Sequence, residues 1–376
     1  MSKFIIIGSG FYGATIAERI ANELDEEVLI IEKRDHIGGN SYSEIHKETG
    51  IEFHTYGTHI FHTSNHEVWN YINRFTEFNS YRHQVLTEYN KRVYQMPINL
   101  ETINSFYKTN LKPYEVEAFL FNEISKSGIK QPKNFEEMGI SRVGEALYKA
   151  FIHGYTKKQW GREPRELPAH IIQRLPFRTN YDESYYNSKW QGIPKDGYGE
   201  IFRKMLNHPK IKIELNTDYF KIKDELPKDS LIIYTGPIDK LFNYKYGHLE
   251  WRSLKFEFET KDYQDFQGTS VLNYANEEIP YTRIHEWKHL HSDREVFKSK
   301  KTLITKEFSI EGDKENPYYP IGGPRNQEIL KLYQKEAAQL PNMIIGGRLG
   351  EYKYYDMHQT IEMALETFKR IRDEKK

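Results

Sequence analysis

Phe4-Ile5-Ile6-Ile7-Gly8-Ser9-Gly10-Phe11-Tyr12-Gly13 stands at the start of the chain, and Val28-Leu29-Ile30-Ile31-Glu32 follows it. Four consecutive apolar residues running into glycine read as a strand buried on both faces. Residues 12–24 carry apolar side chains at helical spacing, and the second apolar run reads as another buried strand. Strand, helix, strand, with Gly8, Gly10 and Gly13 spaced as G-x-G-x-x-G at the first turn, predicts a Rossmann-like α/β unit with a parallel sheet and a dinucleotide on it. Gly8 allows the tight turn, Gly10 lets the backbone approach a pyrophosphate at the helix N-terminus, and Gly13 lets the helix close on the strand. Glu32 ends the second strand, where a carboxylate accepts hydrogen bonds from a ribose and disfavours a 2′-phosphate. An ordinary glycine-rich turn would need none of this to fall in register.

Working outward, Glu32-Lys33-Arg34-Asp35-His36-Ile37-Gly38-Gly39-Asn40 adds a second glycine pair, past which an extended cofactor can run close to the backbone. With a single βαβ unit visible, this points to FAD rather than NAD. Near the other end, Gly346-Gly347-Arg348-Leu349-Gly350 follows the apolar run 343–345 and precedes a helical pattern over 357–373. That segment reads either as a plain strand-to-helix turn or as the far end of the same FAD site. Between the two ends, residues 101–127 and 136–152 carry helical patterns punctuated by Pro113, Pro132 and Gly139, and residues 249–308 alternate in period two, as antiparallel strands do.

The whole composition bounds the function. At 376 residues the chain is long for one core, so two or three domains in one globule are expected. Lys plus Arg and Asp plus Glu are both 54, so no global field draws the protein to nucleic acid or to an anionic membrane, and any anionic ligand must be held by local arginines. The absence of cysteine removes disulfides, thiolate nucleophiles and Cys-based metal sites, and no metal is expected. It suits a reducing compartment, with the cytoplasm as the default. Residues 4–7 are too short a run for a signal-peptide core or a membrane span. The 28 tyrosines fit a thick aromatic core or a site built from phenols equally well.

Several segments together resemble the bacterial UDP-galactopyranose mutase family nearly end to end. They are Ile37-Gly38-Gly39-Asn40, Gly57-Thr58-His59-Ile60-Phe61-His62-Thr63, Gly154-Tyr155-Thr156-Lys157-Lys158-Gln159-Trp160-Gly161, Arg174-Leu175-Pro176, Pro194-Lys195-Asp196-Gly197-Tyr198, Tyr281-Thr282-Arg283-Ile284, Pro317-Tyr318-Tyr319-Pro320 and the run 347–358. The resemblance implies an isomerase that interconverts UDP-galactopyranose and UDP-galactofuranose with no net redox change. Reduced FAD would attack the anomeric carbon through N5 and displace UDP, and the sugar would reclose through a different hydroxyl. It implies a discontinuous FAD-binding domain (1–77, 195–240 and 330–376), a helical domain (101–162) followed by a mobile loop, and an antiparallel sheet domain for substrate (78–100, 163–194 and 241–329). A homodimer is usual in the family.

Carried over position by position, Arg174 and Arg283 would clamp the diphosphate, with Tyr185, Tyr319 and Tyr354 donating phenolic hydrogen bonds to it. Forked, permanently charged guanidinium groups suit phosphate oxygens on physical grounds alone. Tyr155 and Trp160 would hold the uridine from a helix and the loop after it, Asn273 and His83 would lie near the sugar, and His59 would face the flavin with His62 close by. FAD contacts would come from Gly8, Gly10, Phe11, Gly13, Glu32, Lys33, Gly39, Asn40, His59, Ile60, Arg348, Tyr355, Asp356 and Met357. Thr58 stands where the family usually has alanine, Trp287 where many members have histidine, and His83 at a position that varies among members. These departures leave galactose and N-acetylgalactosamine both open as the sugar. An FAD-dependent amine or alcohol oxidase would explain the fingerprint equally well, but it would not require a diphosphate clamp.

Overall fold

The computed structural model describes residues 3–174 and 176–374. Five parallel strands form one sheet in the order Met343–Ile345, Leu231–Tyr234, Phe4–Ile7, Val28–Ile31, Ile211–Glu214. The two runs read as buried strands are such strands, and Phe4–Ile7 is central because its four side chains are covered on both faces. Helix Phe11–Arg19 continues as a π turn, Ile20–Leu24, so the expected 12–24 helix begins one residue earlier. Helices Tyr198–Leu206 and Met357–Glu374 join it on one face, where Ile16, Ala17, Phe202 and Phe368 form the core with Ile6 and Ile30. Each isoleucine or phenylalanine among them, fully withdrawn from water, contributes on the order of 1.5–3 kcal/mol.

The pattern expected to be one helix over 101–127 is two, Leu100–Tyr107 and Pro113–Ser125. Lys108 takes a left-handed conformation that ends the first, and Pro113, whose fixed φ suits a first turn, starts the second. With Phe135–Val143 they enclose a separate core around Leu100, Val116, Leu147 and Phe151.

The second large sheet has seven strands, ordered Tyr319–Pro320, Trp251–Lys261, Thr302–Glu311, Arg283–Glu286, Val271–Tyr274, Val85–Tyr89, Arg92–Met96. One pair corrects the antiparallel expectation: Val271–Tyr274 runs parallel to Val85–Tyr89. The hairpin 85–96 comes from far upstream, so no tight turn dictates the direction in which it joins the edge. In this sheet Arg283 lies opposite Asn273 on one side and Glu307 on the other.

Within the parallel-sheet region, a buried carboxylate ties helix Phe11–Arg19 to helix His66–Ile72 and the residues just after it. Glu18, on the helix behind the glycines, accepts from Tyr71 Oη at 2.9 Å and from Arg74 at 3.2 Å, and pairs with Arg19. Its side chain is only 1% exposed, so removing its charge strands two cations and a phenol. Glu18→Gln is expected to destabilise the protein by about 1–3 kcal/mol, read from urea unfolding of the purified variant.

Candidate active site

Where strand Phe4–Ile7 ends, Gly8 adopts φ +101°, and a Cβ there would lie 2.2 Å from Thr235 Oγ1. A Cβ on Gly13 would lie 2.1 Å from the Gly8 carbonyl oxygen, and one on Gly39 would lie 3.1 Å from Gly10 Cα. The backbone therefore forms a cradle with no side chains on its floor, and the N-terminus of helix Phe11–Arg19 opens onto it. Glu32 fastens the turn: one carboxylate oxygen accepts from Ser9 N (2.9 Å) and Ser9 Oγ (2.8 Å), the other from Arg34 N at 3.0 Å. The oxygen that accepts from Arg34 N retains a second lone pair suited to a ribose hydroxyl.

A cavity of about 350 Å³ runs from this cradle to the face of the seven-stranded sheet. Its far end is built from the turn after strand Met343–Ile345 and from the N-terminus of the 18-residue helix Met357–Glu374, a second source of partial positive charge. All the residues expected to touch FAD line it, and so do His59, Arg283, Tyr319 and Tyr354. Arg348 lies 4.6 Å from the ring centre of Tyr354 and 5.2 Å from that of Tyr319, whose rings stack on each other at 5.8 Å. Arg348 Nε and Arg34 Nη1 are buried without a hydrogen-bond partner among the described residues. Two guanidinium groups that each keep one unpartnered nitrogen, a side-chain-free cradle and two helix N-termini on one cavity fit the diphosphate of a flavin dinucleotide.

On the sheet side, half-buried Arg283 and buried Glu307 form an ion pair at 3.3 Å. Burial alone pushes the Arg283 guanidinium down, but Glu307 and the neighbouring tyrosines outweigh it and hold it well above its ordinary value. Burial likewise opposes charge on Glu307, yet Arg283 and His285 bring its carboxyl down to about 2. Arg283 also meets the Tyr155 hydroxyl and lies over its ring at 5.7 Å.

His59 is desolvated and falls to about 4, so its ring is neutral. Its Nδ1 meets the Gly57 carbonyl oxygen at 2.6 Å, which places the proton there and leaves Nε2 as an acceptor. His62 stacks on Tyr186 with ring centres 3.7 Å apart and lies 3.8 Å from Asp356.

The remaining expected substrate residues stand behind this wall. Tyr155 reaches it through Arg283, Asn273 is Arg283's cross-strand neighbour with a buried, unpartnered Oδ1, and Tyr185 packs edge-on to both His83 and Tyr186. Trp160 differs from expectation in being the last residue of helix Gly154–Trp160 rather than in the loop. It borders a second cavity of about 330 Å³ with Arg252 and Trp251, and Pro317 lines both cavities. Arg174 ends the turn Ala169–Arg174, and its side chain lies outside the described residues. Sequence reasoning missed Glu307, His285 and Arg34. Glu307 was findable: Leu303, Thr305 and Glu307 share the inward register of one strand, and a charge on that face demands a partner.

A parallel α/β dinucleotide cradle, joined to a second sheet that presents arginines and tyrosines, defines a flavoenzyme acting on an anionic substrate. The comparisons with known proteins name the family. Residues 150–354 match the model for UDP-galactopyranose mutase, and residues 6–75 match an NAD(P)-binding Rossmann-like domain. A dTDP-fucopyranose mutase of Escherichia coli is 42% identical over 97% of both chains. A Klebsiella pneumoniae protein named "Probable UDP-galactopyranose mutase" is 43% identical over 97% of this chain and 93% of its own. The crystal structure of a reduced UDP-galactopyranose mutase superposes with a TM-score of 0.77 at 15% identity, covering 99% of this chain and 96% of that one. The chain belongs to the UDP-galactopyranose mutase family; it is an isomerase, and its cofactor is FAD.

Two outcomes follow from this geometry. Gly13→Ala should yield protein with a sharply reduced FAD content, read from the flavin-to-protein absorbance ratio, because the helix must retreat from Gly8. Burial also depresses His54 and His83 to about 3 and His59 and His62 to about 4. Between their unfolded pKa, about 6.5, and those values, the unfolded chain binds protons that the folded one does not, so stability falls as pH falls. Urea unfolding near pH 5 should show stability dropping by up to about 5 kcal/mol per pH unit if all four contribute, and a flat profile would contradict their burial as neutral rings.

Proposed function

We propose that this enzyme interconverts UDP-galactopyranose and UDP-galactofuranose, as a cytoplasmic homodimer without nucleic-acid or membrane partners. The observation that carries the reading is the continuity of one cavity from the glycine cradle to Arg283, Arg348, Tyr319 and Tyr354. A nucleotide sugar whose diphosphate departs and returns needs that anion kept beside the cofactor throughout. No helix among the described residues is long and apolar enough to cross a membrane.

Reduced FAD, when bound, supplies a nucleophilic nitrogen for the anomeric carbon. The protein's own residues do the rest. Arg283, together with Arg174, holds the diphosphate as it gains charge, and Tyr185, Tyr319 and Tyr354 donate to it without adding a charge. Tyr155 and Trp160 hold the base, while Asn273 and His83 bound the sugar pocket. His59, neutral with Nε2 free to accept, takes a hydroxyl proton of the sugar and returns it. The segment following Trp160 closes over the site and excludes water.

The 42% identity to a dTDP-fucopyranose mutase supports a second reading, in which a dTDP-6-deoxysugar is the substrate. Incubating the yellow protein, with and without dithionite, with UDP-galactofuranose, its N-acetylated analogue and dTDP-fucofuranose separates them by chromatography. Conversion of UDP-galactofuranose only under reduction is the expected result. Conversion of the dTDP-sugar alone selects the second reading, and oxygen consumption with a simple amine or alcohol would return the protein to the oxidases. Arg174→Lys should keep its full FAD content and lose at least about tenfold in turnover, because an ammonium cannot replace a forked contact. Near-wild-type turnover would remove Arg174 from the clamp.

A further inference from the structure

Two departures from the family pattern, Thr58 and Trp287, converge on one residue that the mechanism above does not use. His285 is 0% exposed. Its Nδ1 lies 2.5 Å from the hydroxyl of Thr58, its Nε2 lies 2.9 Å from Glu307 Oε2, and its ring stacks on Trp287 with centres 5.1 Å apart and planes 16° from parallel. Trp287 is locked in turn by donating Nε1–H to Thr305 Oγ1 at 2.7 Å. Glu307's other oxygen faces Arg283 Nε at 3.3 Å and accepts from Thr282 Oγ1 at 3.4 Å.

The proton positions follow. Glu307 is ionised and only accepts, so His285 donates through Nε2. Burial keeps the ring neutral, which leaves Nδ1 an acceptor and makes Thr58 the donor. The chain of bonds therefore runs in one direction, from the cavity wall at Thr58 through His285 to the carboxylate that faces the clamp arginine. A carboxylate with one oxygen engaged by His285 cannot rotate to take Arg283 in a two-pronged grip, so Nη1 and the N–H of Nη2 that the Tyr155 hydroxyl does not take stay available to a phosphate.

We infer that His285 is a positioning residue for substrate binding: by holding Glu307 in a one-oxygen contact, it keeps Arg283 competent for the diphosphate, with Thr58 fixing its orientation. Trp287 supplies the flat surface that holds the imidazole plane. The inference rests on the proposal that a nucleoside diphosphate sugar is the substrate.

The test uses FAD-loaded protein, with UDP as the probe in calorimetric titration and with KM and kcat for the UDP-sugar. His285→Phe keeps a ring for Trp287 and removes both nitrogens, while His285→Gln keeps a donor towards Glu307. The phenylalanine variant should hold FAD stoichiometrically, with an unchanged flavin spectrum, yet bind UDP about tenfold more weakly, with the loss in KM rather than kcat. The glutamine variant should recover most of that affinity. Thr58→Val, which disturbs no core packing, should weaken UDP binding about two- to threefold. Unchanged UDP affinity in His285→Phe, equal loss in the phenylalanine and glutamine variants, or no effect of Thr58→Val would each overturn the inference. Wild-type protein that binds no UDP defeats the substrate reading instead, and shows itself before any variant is made.

Discussion

Gly13 packs where even a methyl group would stand 2.1 Å from the Gly8 carbonyl oxygen, and the rest of the site depends on that approach. It brings the first helix against the first strand and aims the helix N-terminus at the floor of the cavity. It also leaves Ser9 N and Oγ where Glu32 can hold them. Because the strand is central in the parallel sheet, the turn is braced by Leu231–Tyr234 on one side and Val28–Ile31 on the other. The cofactor cradle is thus built on the most buried element of the fold, as a site demanding fixed geometry should be.

Two kinds of arginine share the cavity. Arg283 has its charge matched by a buried carboxylate, whereas Arg348 lies against tyrosine rings with no carboxylate within 4 Å among the described residues. A cation compensated only by ring faces and a carbonyl is poised for an anion. A cation already paired to Glu307 binds one only if that pairing stays partial. The same side-chain type therefore does two jobs, set by what lies behind each guanidinium, and a count of arginines cannot separate them.

The parts legible in the sequence are those fixed by local rules. The glycines, both buried strands and the acid at the end of the second lie within the first 32 residues, and a turn needing glycine is written in its own residues. The run after strand Met343–Ile345 could be joined to them only because both ends carry the same kind of turn. Residues positioned by the second sheet were harder. Glu307 and His285 meet across strands, and their partners depend on a register that period-two alternation does not reveal. The parallel pairing of Val85–Tyr89 escaped for the same reason, since no short connection constrains it. The Thr58 and Trp287 departures could be seen in the sequence, but their meeting at His285 could not.

That parallel pairing has a consequence for how the chain is made. Strand Val85–Tyr89 leaves the ribosome long before its partner Val271–Tyr274, and the cofactor cavity needs residues from Gly8 to Thr360. The early hairpin must wait with one edge unpaired while almost two hundred further residues are synthesised, the situation in which strands find wrong partners. The first helix likewise waits for Met357–Glu374 to cover it. A nascent or truncated chain thus cannot assemble the complete cavity, so retention of the yellow cofactor doubles as a report that synthesis and folding have both reached the end.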